Sequence, residues 1–169
     1  MPVWLTWMYG FALMTAESAV LAAAGAESFC VQTGLIFAIL LGLRRDFVPG
    51  AWTLAISIPV AEWFAGGPSG PYGLGLGVVF VGLQSLRYWL PDDWGLMHLG
   101  VAATAVPVHA AVFAAASSAV GLPGELASAV FWSLPVAWVG VLAGLVPAQW
   151  LLERGDAVFE GPRRRALFD

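Results

Sequence analysis

The segment WGLMHLGVAATAVPVHAAVFAAASSAVGLPG, residues 94–124, runs for 31 positions without an Asp, Glu, Lys or Arg. A membrane-crossing helix takes about 20 predominantly apolar residues, so this stretch spans a bilayer with turn residues to spare. Outward from it, residues 1–16, 28–43, 47–61, 63–86 and 126–152 are equally free of charge. The expected architecture is an all-α, polytopic membrane bundle with helices at about 3–24, 28–43, 50–65, 71–90, 96–119 and 126–151. The second and third are short. They either tilt little and thin the bilayer, or pair as a hairpin that does not fully cross.

Composition agrees. The 169 residues are 60% hydrophobic and 11% charged, against about 45–50% and about 25% in soluble domains, and the mean hydropathy is +0.82. A core of this size cannot keep so much apolar surface from water. The expected division is one transmembrane domain over residues 1–152 and a short charged cytoplasmic tail over residues 153–169.

Gly and Pro mark the joints: RRDFVPG (residues 44–50), GGPSGP (66–71), PDDWG (91–95) and GLPGE (121–125). All are short, so successive helices should run antiparallel. The seven basic residues are all arginine: Arg44, Arg45, Arg87, Arg154, Arg163, Arg164 and Arg165. Six spans place them on one side, opposite Glu27, Glu62 and Glu125, and the positive-inside rule then puts both termini in the cytoplasm. Trp4, Trp52, Trp63, Trp89, Trp94 and Trp150 lie near expected helix ends, as an interfacial belt would. Leu21 to Ser28 has the small residues of a cleavage site, but the basic segment that opens a signal peptide is missing and Glu17 interrupts the apolar run. That segment therefore reads as a helix. A net charge of −4 argues against nucleic acid, and the lone Cys30 cannot form an internal disulfide.

No catalytic constellation stands out, and no cofactor is expected. His98 and His109 lie about 16 Å apart along one helix, too far to share a metal. His109 follows Pro107 and has two readings: a hydrogen bond between helices near the carbonyls that the proline frees, or a ligand or proton role. Gly73 with Gly77, and Gly140 with Gly144, have small-residue spacing suited to close helix packing. Glu17 and Glu62 carry more information, because a carboxylate at a helix centre costs about 2.5–3.5 kcal/mol on insertion scales. Gln32 with Thr33, or Gln84, would satisfy Glu17, or either acid is protonated. Arg87 reads as a cytoplasmic anchor whose head reaches the interface.

The segment AEWFAGGPSGPYGLGLGVVFVGLQSLRYW, residues 61–89, resembles the middle of the MreD family, small multispanning proteins of the bacterial rod-shape machinery. There an acid ends one helix, glycines follow at four-residue spacing, and the next helix ends in basic and aromatic residues. Glu62, Gly66 and Gly70 match the first part, Arg87 and Tyr88 the second. Two departures are the acid, Glu62 for the usual Asp, and Ile58 and Leu54 where the family has glycines one and two turns earlier. The resemblance implies a non-enzymatic scaffold of the bacterial cytoplasmic (inner) membrane that binds an MreC-like partner and helps organise cell-wall synthases. From the residues alone, the Glu62 carboxylate is expected to accept hydrogen bonds from backbone N–H groups of the glycine-rich loop. A different class remains open: the substrate-binding subunit of an energy-coupling-factor vitamin transporter, with Ala12, Ala16, Ala19 and Ala23 as its partner face.

Overall fold

Proline and glycine set most helix boundaries. Pro71 opens one helix where its missing N–H is not needed, and Gly70 before it adopts φ 104°, a backbone region closed to most L side chains. Another helix ends in a Schellman turn: Leu122 N–H bonds Ser117 O at 3.0 Å and Gly121 N–H bonds Ser118 O at 3.1 Å, with Gly121 at φ 73°.

The computed structural model describes residues 3–23, 33–65, 70–90 and 96–165. Among them the chain is all α: α1 (Val3–Ala23), α2 (Thr33–Arg44), α3 (Phe47–Ala65), α4 (Pro71–Arg87), α5 (Leu96–Ala119) and α6 (Gly124–Arg165). The expected start of the second helix at residue 28 lies outside the described residues. α3 begins at Phe47, three residues before the expected start, because Pro49 falls in the first turn, where N–H groups have no helical partner. α4 stops at Arg87, and residues 88–90 close a turn instead of extending it. The expected break at residue 152 is absent. α6 continues to Arg165 over 42 residues, since no proline interrupts it between Pro147 and Pro162 and its Glu153 and Asp156 pair with the end of α2. The last helix thus runs through Arg165, well beyond its expected end at residue 151.

α2 occupies the centre. It touches all five other helices, while α1, α3, α4, α5 and α6 follow one another around it, and Tyr9 Oη of α1 donates to Ala148 O of α6 to close the ring. The reason is legible in α2 itself: a helix apolar on every face must be surrounded, and every residue from Thr33 to Leu43 is buried. Glycines let the neighbours approach. A Cβ at Gly10 would stand 2.6 Å from the Phe37 ring, one at Gly42 2.8 Å from Leu83 Cβ, and one at Gly144 2.7 Å from Ile36 Cδ1.

Large apolar side chains cover the outside as well as the core, and several polar side chains are enclosed. Trp52, Trp63, Trp89, Trp132, Ile56, Val108 and Val139 are exposed, whereas Thr53, Ser57, Gln84, His98, His109, Ser117 and Gln149 are buried. Among the described residues, two segments, Leu96–Ala119 and Trp132–Asp156, are long and apolar enough to cross a membrane.

Candidate functional site

The joint between α3 and α4 carries the acid singled out in the sequence. Glu62 sits one turn before the end of α3, and its Oε1 accepts hydrogen bonds from Gly70 N–H at 2.7 Å and Gly73 N–H at 3.1 Å. The carboxylate therefore caps α4 from a neighbouring helix. Both donors belong to the orphaned first turn, and the helix dipole favours negative charge there. Gly70 and Gly73 take part for different reasons. Gly70 supplies the positive φ that turns the chain into α4, and Gly73 supplies room, because a Cβ there would run into Ile58 Cγ2 and stand 2.8 Å from Glu62 Oε1. Ile58, which occupies a position where the resembled family has glycine, thus finds its space on the facing helix. Gly66 lies outside the described residues.

Of the small-residue pairs, only one member of each sits at a helix contact. Gly77 and Gly140 face open space, while Gly73 meets α3 and Gly144 meets α2. Four-residue spacing puts both glycines of a pair on about the same face, but a neighbour comes close at only one of them. Gly75, two residues from Gly73, makes the α5 contact instead: a Cβ there would stand 2.7 Å from His109 Cδ2. The His109 ring meets the Tyr72 ring edge-on with centroids 5.0 Å apart.

The carbonyl freed by Pro107 is that of Ala103, four residues earlier. Trp138 of α6 takes it, donating from Nε1 at 2.7 Å, while His109 makes the expected hydrogen bond between helices elsewhere, to the Tyr72 backbone of α4. A tryptophan was better placed because Ala103 faces α6, whereas His109 faces α4.

The arginines gather at the opposite end of the bundle from Glu62. Arg44 pairs with Glu153, Arg45 with Asp156 at 2.8 Å, and Arg87 with Asp46 at 3.3 Å. Arg87 Nη1 also donates to Arg45 O at 2.6 Å. It is thus a cap on the α2–α3 joint as well as an end-of-helix charge. Gln84 Nε2 donates to Arg45 O at 2.6 Å, which removes it as a partner for Glu17: the two lie at opposite ends of their antiparallel helices. Glu17 is half-buried in the C-terminal half of α1, and Gln32, offered as its partner, lies outside the described residues. The roles of Glu153, Asp156, Trp138 and Gly75 were not read from the sequence. A signal existed for the first two, an acidic i, i+3 pair on α6 that mirrors the adjacent Arg44 and Arg45.

These features define an all-α bundle around a buried central helix, with a carboxylate-capped hairpin at one end and a set of ion pairs at the other. Compared with known proteins, the chain matches no family model, no curated protein and no solved structure.

Proposed function

We propose that this chain is a six-span protein of the bacterial cytoplasmic membrane with both termini in the cytoplasm, serving as a non-enzymatic scaffold of lateral cell-wall growth. Its partners in this reading are an MreC-like protein and the cell-wall synthases, as the resemblance to the MreD family implies. The observation that carries it is the Glu62 joint, where the acid of the resembled motif accepts a hydrogen bond from the motif's Gly70 and a second from Gly73, three residues further on. Support also comes from the exposed apolar side chains and from the grouping of Arg44, Arg45 and Arg87 at one end. The position of α2 weighs against the transporter alternative. A vitamin pocket needs a few hundred Å³ among the helices, and α2 fills the axis of this bundle with Leu35, Phe37, Ile39 and Leu40.

Depletion in a rod-shaped host tests the reading. Rounded cells and slowed insertion of new wall are expected. Unchanged shape together with failed uptake of a vitamin would transfer the assignment to the transporter class.

A further inference from the structure

The two ends of the bundle carry different polar devices, and one pair of helices reaches both. At the arginine end, Arg44 and Arg45 of α2 hold Glu153 and Asp156 of α6, while Gln84 and Arg87 of α4 hold the Arg45 carbonyl. At the other end, a Cβ at Gly34 of α2 would stand 2.9 Å from the Tyr72 hydroxyl and 3.2 Å from Ala61 Cβ. Ala61 and Tyr72 are the chain neighbours of Glu62 and Gly73, the acid and one of its two donors. Between the ends, α2 is 12 residues long and buried from Thr33 to Leu43.

We propose that the ion pairs form a clasp whose opening is transmitted through α2 to the Glu62 hairpin. Close-packed interiors transmit displacement because they hold few voids to absorb it. α2 has no spare room at the hairpin end, where its backbone at Gly34 lies against Tyr72 and Ala61. A shift of α2 that follows release of α6 must therefore displace one of them, and with it an end of the Glu62 hydrogen bonds. The clasp is suited to opening: the Arg44 and Glu153 side chains are 30% and 51% exposed, and those of Arg45 and Asp156 17% and 31%. The more exposed Arg44–Glu153 pair is weak and salt-sensitive, and the partly buried Arg45–Asp156 pair is screened less. The inference does not rest on the scaffold reading, since the purified chain alone tests it.

Two thiol reporters in a Cys30→Ser background read the two ends separately in mild detergent. Leu152→Cys lies beside the clasp and Ala61→Cys beside the hairpin, and both positions are 4% exposed. Glu153→Gln with Asp156→Asn is expected to speed thiol labelling at both positions, by about two- to fivefold for each pair removed. Arg45→Asp with Asp156→Arg, which rebuilds one pair in reverse, should bring both rates back toward that of the parent. Faster labelling at Leu152→Cys with an unchanged rate at Ala61→Cys overturns the coupling, and unchanged rates at both overturn the clasp. Should a charge substitution fail to fold, the reporters are read on the otherwise unaltered chain at low salt and at about 1 M salt, where exposed pairs are screened. The same outcomes then decide.

Discussion

An acid near the end of an apolar helix invites a search for an arginine, and at Glu62 the partners are two backbone N–H groups instead. Hydrogen bonds to a charged group contribute about 1.5–3 kcal/mol each in favourable settings, and the Gly70 bond is exposed, so Glu62→Ala should cost about 1–3 kcal/mol. Unfolding in mild detergent measures the loss, and recovery of membrane partners measures its consequence. Glu62→Asp, which restores the acid of the resembled family, is expected to be tolerated because α4 need move only by about one methylene. Wild-type behaviour from both Glu62→Ala and Gly70→Val would detach the joint from function. The glycines of α4 give a sharper contrast. Gly73→Ala puts a methyl group into Ile58 and the Glu62 carboxylate, and overpacking of this kind costs about 1–3 kcal/mol. Gly77→Ala meets nothing within 4 Å and should be neutral or stabilising by up to about 1 kcal/mol, the helix preference of Ala over Gly. Equal effects of the two substitutions would contradict the packing described.

At the scale of elements, α5 and α6 illustrate how a bundle repairs a helix break. Pro107 leaves the Ala103 carbonyl without its helical donor, and Trp138 supplies one from across the interface. Trp138→Phe keeps most of the aromatic surface and removes that donor, at an expected cost of about 1–2 kcal/mol. In a Pro107→Ala background the restored N–H serves Ala103, so the same substitution should cost distinctly less. A double-mutant cycle in detergent measures the difference, and a coupling energy indistinguishable from zero would sink the account. α2 shows the complementary case. Its sequence, TGLIFAILLGLR, is apolar on every face with glycines at Gly34 and Gly42, which is the signature of a surrounded helix. Its shortness masked that signature, since a helix of about 18 Å reads first as an incomplete span.

For the whole molecule, the separation of exposed tryptophans along α6 gives a scale. Trp132 and Trp150 are both exposed and lie about 27 Å apart along a continuous helix, close to the roughly 30 Å thickness of a hydrocarbon core. The proposed topology puts the arginine end in the cytoplasm, and it predicts that, in a Cys30→Ser background, an impermeant thiol reagent labels Ser69→Cys in intact cells and leaves Tyr88→Cys untouched until the membrane is opened. The reverse pattern would invert the topology. Labelling at both from outside would rule out the bilayer placement.

The helical class, the joints and the apolar surface follow from the sequence alone, because an uncharged run of span length bounded by Gly and Pro permits few structures in any surroundings. The bond expected at Glu62 was legible for a similar reason: acid, turn and glycines lie within a dozen residues, where local geometry decides. Which glycine meets a neighbour, which donor reaches the Ala103 carbonyl and which acid answers Arg45 depend on helix rotation and on pairs more than thirty residues apart. Those choices belong to the tertiary structure, since several faces of each helix are equally apolar. With little amphipathic contrast to orient a helix, only the packing of all six around α2 selects among them.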